Sequence, residues 1–122
     1  MKKKIYYLST CSTWKRITTE IHFDDSFERQ DIKTEKITIT QLEQMAELAG
    51  SYEKLFSRIA RKYRELGLKE KSLTEQDYKN YILEEYTFLK RPVVVIGKEI
   101  FIGNSKKNLL ALAELVEKLA TN

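Results

Sequence analysis

Cys11 is the only cysteine in the 122-residue chain, and it stands in the polar run Ser9-Thr10-Cys11-Ser12-Thr13. Residues 4–8, Lys-Ile-Tyr-Tyr-Leu, are aromatic and β-branched enough for a buried strand, and the short polar residues after them interrupt it. From Trp14 onward the apolar or semi-apolar positions Trp14, Ile17, Thr18 and Ile21 keep the spacing of one helical face. Cys11 is thereby placed at a helix N-terminus, where unpaired backbone N–H groups and the macrodipole favour an anion, and Lys15 and Arg16 add positive charge. Each effect stabilises a thiolate, and cysteines so placed have pKa values lowered from about 8.5 to roughly 3.5–7.5. The same amides, with Ser12 and Thr13 among them, would accept an oxyanion. Free cysteine is also among the most buried residue types, so a small core side chain is the other reading, and the local pattern leaves both open.

The elements that must position this residue come next. His22 to Ser26 is polar enough for a turn, and residues 27–32 form a weak strand with only its ends apolar, suited to a sheet edge. Thr40 and Glu43 read as a capping box for a helix whose stripe is Leu42, Met45, Ala46 and Ala49 and which Gly50 ends. Ser51 is then expected to cap a second helix, with Tyr52, Leu55, Phe56, Ile59 and Tyr63 on one face and Gly67 closing it. Thr74 begins a third, buried through Tyr78, Tyr81, Ile82 and Tyr86. Val93 to Ile96, the Gly97-Lys98 pair and Glu99 to Ile102 spell a β-hairpin, opened by Pro92, the only proline. Asn104 or Ser105 caps a last helix with Leu109, Leu112, Ala113, Val116 and Ala120 on its face. The order is βαβ, three helices, ββα.

With 42% hydrophobic residues the chain has the material for one compact core. A lone cysteine forms no intramolecular disulfide, and a single histidine, His22, with no Cys/His cluster makes a metal site improbable. No leader with a cleavage site and no apolar stretch of membrane-spanning length is present, so the cytoplasm is the expected compartment. The net charge of +4 sets 22 basic against 18 acidic residues, too mild a bias to argue for direct binding of nucleic acid. Lys54, Arg58, Arg61, Lys62, Arg64, Lys69 and Lys71 crowd one segment, as a solvated face or as a frame for an anionic ligand or acidic partner.

Ser9-Thr10-Cys11-Ser12-Thr13-Trp14-Lys15-Arg16, then Tyr63-Arg64-Glu65-Leu66-Gly67-Leu68, Lys90-Arg91-Pro92-Val93-Val94-Val95 and Ile102-Gly103-Asn104 together resemble the arsenate reductase ArsC/Spx family over essentially the whole chain. The resemblance implies an α/β, thioredoxin-like fold: a mixed four-stranded sheet with flanking helices from residues 1–32 and 87–122, and an inserted helical subdomain over 33–86. It implies Cys11 as nucleophile, Arg91 as the arginine that stabilises the oxyanion, and Pro92 in the family's cis-proline position. In the reductase branch the cysteine attacks arsenate held by arginines, and glutathione with glutaredoxin regenerates it. In the Spx branch a CxxC pair senses oxidation and the protein binds the C-terminal domain of the RNA polymerase α subunit.

Three departures bear on the choice. Some relatives would place the insertion's arginine where this chain has Ile59, which leaves Arg58 and Arg61 as neighbouring candidates. The arginine of arsenate-specific members, which falls near Gly103, is absent, and Trp14 stands where CxxC members have a second cysteine. A disulfide switch is therefore disfavoured, while a one-cysteine glutathione-linked cycle on a small oxyanion or thiol substrate remains compatible. An adaptor that binds polymerase without using Cys11 is the alternative.

Overall fold

The computed structural model describes residues 1–120. In chain order these form β1 (Lys3–Tyr7), α1 (Ser12–Glu20), β2 (Glu28–Asp31), α2 (Ile39–Ala49), α3 (Arg61–Glu65), α4 (Glu75–Glu84), β3 (Val93–Ile96), β4 (Glu99–Ile102) and α5 (Lys106–Ala120), with short 3₁₀ turns at Glu53–Leu55, Leu68–Glu70 and Tyr86–Phe88. They divide into two compact units, one of Met1–Glu35 with the described residues from Arg91 on, the other of Lys36–Lys90.

The first unit is a mixed four-stranded sheet in the order β2-β1-β3-β4. β1 runs parallel to β2 and antiparallel to β3, and β4 returns antiparallel beside β3. The sequence pattern explains the order. β3 is buried at all four residues, as an unbroken Val-Val-Val-Ile run requires, whereas β2 exposes Glu28 and Arg29 and so suits the edge, where charge discourages further pairing. Gly97, at φ 62, makes the tight turn between β3 and β4 that a side chain would strain. One face of the sheet, through Ile5, Val94 and Ile96, packs on Trp14, Ile17 and Ile21 near or in α1 and on Leu112 and Val116 of α5. Burial of each large aliphatic side chain contributes about 1.5–3 kcal/mol. Tyr7, Trp14, Phe23 and Phe27 continue this core as successive ring contacts with centroids 5.3, 5.8 and 5.2 Å apart.

The second unit departs from the sequence reading in two places. α2 is capped by Thr38, not Thr40: the Thr38 hydroxyl accepts the Gln41 N–H and the Gln41 side chain accepts the Thr38 N–H, each at 3.1 Å. Ile37 and Leu42, both buried, occupy the two positions of a hydrophobic staple, which starts the helix two residues earlier than the Thr40–Glu43 spacing suggests. The expected helix capped by Ser51 is a 3₁₀ turn, an extended stretch and then α3. Its backbone bonds sideways instead: Ser57 N–H donates to Phe88 C=O at 2.7 Å, and Lys90 N–H donates to Leu55 C=O at 2.8 Å. The first turn is held by Glu75, whose carboxylate accepts the Tyr52 and Glu53 N–H groups at 2.7 and 3.1 Å. Phe56 is the centre, with the rings of Tyr63, Tyr78, Tyr81 and Phe88 around it, while Ile59, expected on the buried face, is 92% exposed.

Thr38→Ala should lower stability by about 1 kcal/mol in denaturant unfolding, the usual loss for a capping hydroxyl. Thr40→Ala should leave it nearly unchanged. Equal losses would return the cap to the position read from sequence.

Candidate active site

Cys11 is the N-cap of α1, with φ −82 and ψ 120, so the helix begins at the residue after it. Lys15 N–H donates to Cys11 C=O at 3.3 Å, and Cys11 N–H donates back to Leu8 C=O at 3.0 Å, turning the chain out of β1 and into the helix. The Cys11 side chain is partly buried against the core of the sheet unit. Burial is the largest single influence on the thiol and pushes its pKa up. The N–H groups of Trp14 and Thr13, the Thr13 hydroxyl and the Arg91 guanidinium act the other way, and together they hold the thiol below its ordinary value. The charge expected from Lys15 and Arg16 is carried instead by Arg91; those two side chains are exposed on the outer side of α1.

Arg91 comes to the thiol because β3 starts two residues later. The Arg91–Pro92 bond is cis. Pro92 is buried and its C=O accepts the Gly103 N–H at 2.9 Å, while the Asn108 side-chain amide donates to Gly103 C=O at 2.8 Å. The start of β3, the end of β4 and the start of α5 are thus tied together around the residue that follows Arg91. Within that frame Nε and Nη1 of Arg91 are buried and hydrogen-bond nothing among the described residues. An unsatisfied buried donor costs about 1–3 kcal/mol, more when it carries charge, so two on one guanidinium mark a group held ready for an acceptor.

Of the other residues expected at the site, Thr13 lies against the sulfur, and Ser12, the first residue of α1, is exposed. Arg58 and Arg61 belong to the helical unit. Arg58 is already engaged: it pairs with Glu53 at 2.8 Å, donates to the Tyr78 hydroxyl at 3.1 Å and lies over the rings of Phe56 and Tyr78. Arg61, at the start of α3, is exposed and has no ion pair among the described residues. Asn108 was missed from the sequence. Its only signal is an amide three residues after the Ser105 hydroxyl, which accepts the Asn108 N–H and so caps α5, as the Asn104/Ser105 alternative allowed.

Replacing Arg91 by alanine should raise the apparent thiol pKa, read from the pH dependence of iodoacetamide alkylation with Cys11→Ser as blank. The amide contributions remain, so the variant should stay below the free-cysteine value of about 8.5. Coincident wild-type and Arg91→Ala profiles would remove the guanidinium from the thiol's surroundings.

Comparison with known proteins gives this geometry a family. Residues 6–112 match the model of the ArsC family. Among solved structures, an ArsC family-related protein from Bacteroides fragilis is 24% identical, with a TM-score of 0.73 over 92% of this chain and 98% of its own. The arsenate reductase from Vibrio cholerae is 16% identical, with a TM-score of 0.74 over 91% and 97% of the two chains. A protein described as a possible arsenate reductase from Streptococcus mutans is 26% identical, with a TM-score of 0.65 over 88% and 96%. No curated protein matches the sequence. The sheet with its flanking helices is the thioredoxin-like arrangement of these relatives, and with the family model spanning both Cys11 and Arg91, the chain belongs to the ArsC family.

Proposed function

We propose that the protein is a thiol-dependent reductase of small oxyanions in which Cys11 is the nucleophile and Arg91 the principal anion ligand. The observation that supports this most strongly is the pair of buried, unpartnered Arg91 donors beside a thiol whose pKa is held down. A guanidinium placed this way binds a tetrahedral oxyanion and neutralises charge that builds up as sulfur attacks. The N–H groups of Thr13 and Trp14, with the Thr13 hydroxyl, lower the thiol pKa and so favour the thiolate before the substrate arrives.

With arsenate as the substrate, the Cys11 thiolate bonds to arsenic and an oxygen leaves as water. The thiolate of glutathione, the co-substrate this reading requires, then attacks Sγ; the electron pair of the S–As bond goes to arsenic, which leaves as arsenite, and a mixed disulfide remains on Cys11. A glutaredoxin resolves that disulfide. The lone cysteine fits such a cycle, since no second protein thiol is needed, and glutathione as co-substrate requires a reducing compartment such as the cytoplasm. Among the described residues no helix is long and apolar enough to cross a membrane.

The second reading is an adaptor that docks through the helical unit on an acidic surface such as the C-terminal domain of the RNA polymerase α subunit. What favours it is Ile59, 92% exposed between Arg58 and Arg61. A pull-down of polymerase that survives Cys11→Ser and is lost in Ile59→Asp, with no thiol-dependent turnover, would select it.

In a coupled assay with arsenate, glutathione and glutaredoxin, wild type should turn over and Cys11→Ser should be inactive. Arg91→Met should be inactive as well, yet as stable as wild type or more so, because an apolar side chain of similar length carries no buried unpaired donors. Full activity in Arg91→Met would contradict the assignment.

A further inference from the structure

Asp31 ends β2 opposite Tyr7 of β1, at the sheet end where the cysteine loop begins. Beyond that pair Ile32 N–H donates to Tyr7 C=O at 2.9 Å. The Asp31 main-chain carbonyl accepts the N–H groups of Thr34 and Glu35 at 3.2 and 2.8 Å, and carboxylate Oδ1 accepts the Lys33 N–H at 3.1 Å, so the residue sits in a tight turn. The other carboxylate oxygen, Oδ2, accepts the Ser9 hydroxyl at 2.5 Å. Ser9 lies two residues before Cys11, inside the loop that the Cys11 N–H to Leu8 C=O bond closes.

We infer that Asp31 is a positioning residue for the nucleophile: through Ser9 its carboxylate pins the Leu8–Cys11 loop to the end of β2 and so aims the sulfur at the Thr13 and Trp14 N–H groups. The inference rests on the reading of Cys11 as a thiolate nucleophile and adds the group that holds it in place. A hydrogen bond to a carboxylate is roughly twice as strong as one between neutral groups, and N–H···S⁻ stabilisation falls steeply with misalignment, so a loop free to swing loses it. The Ser9 hydroxyl and the Lys33 N–H keep Asp31 below the usual carboxylate range, with the Lys33 charge acting the same way, while the charge acting on Cys11 is Arg91. A carboxyl depressed in the folded state stays ionised through neutral pH, and the tether weakens only as the pH falls through that lowered value.

The test uses the full-length protein and its Ser9→Ala, Ser9→Thr and Asp31→Ala variants, with alkylation pH profiles and thermal unfolding recorded for each. Ser9→Ala and Asp31→Ala should move the profile to higher pH and slow alkylation at pH 6.5 by about threefold or more. Ser9→Thr keeps the hydroxyl and should follow wild type. Loss of the Asp31 charge alone would move the profile down, so an upward shift identifies the tether. Ser9 is exposed, and its substitution should leave the unfolding temperature nearly unchanged, which separates positioning from loss of fold. A Ser9→Ala profile superimposed on that of a wild type with a depressed thiol would overturn the inference and leave the nucleophile intact. A wild-type thiol titrating at the free-cysteine value would overturn both.

Discussion

The interaction on which the site depends is the one between a partly buried sulfur and the Arg91 guanidinium, each unfavourable without the other. Burial against the core disfavours a charged sulfur, and two Arg91 donors out of water disfavour the fold. The α1 N-terminus offsets the first penalty in the resting protein through the N–H groups of Thr13 and Trp14. No hydrogen bond among the described residues offsets the second. On the proposed reading of Cys11 as nucleophile, such a stability cost is what a preorganised anion site requires, since its donors must already be dry and aimed when charge develops.

The sheet meets this requirement by delivering its two site segments from adjacent strands. β1 runs into the cysteine loop and β3 starts just after Arg91, and the pairing of Tyr6 with Val93 fixes their register. The apolar face that buries Ile5 and Val94 against α1 and α5 therefore also sets the distance between sulfur and guanidinium. Around this rigid frame the polar ties are local: Gly103 to Pro92, Asn108 to Gly103, Ser9 to Asp31.

The sheet unit was legible because its signals are strong and short-range. Four β-branched residues before Gly97-Lys98 can hardly be anything but a buried strand and a turn, and the Trp14, Ile17 and Ile21 spacing shows the inner face of α1. The helical unit was less so. Tyr52 to Tyr63 carries a helical spacing by coincidence: Ser57 and Lys90 use their N–H groups across the chain to Phe88 and Leu55, partners more than thirty residues away that no local pattern reveals. Thr38 lost to Thr40 as the expected cap because both stand three residues before a side chain able to complete a capping box, and burial of Ile37 decides between them. Cys11 and Arg91 were found as residue types in a spacing that matches a family; that two Arg91 nitrogens are buried and unpartnered is a three-dimensional fact with no trace in the sequence.

The most direct measurement is of Arg91 itself. In ¹⁵N-labelled Cys11→Ser protein, which cannot react, the Arg91 Nε–H resonance should shift and saturate on titration with arsenate, as the donor found without a partner acquires one. Sulfate or phosphate should compete at the same resonance, and Arg29, already bonded to the Phe23 and Phe27 carbonyls, should not respond. An Arg91 signal that stays fixed while arsenate is raised to saturating levels for the reaction would contradict Arg91 as the anion ligand.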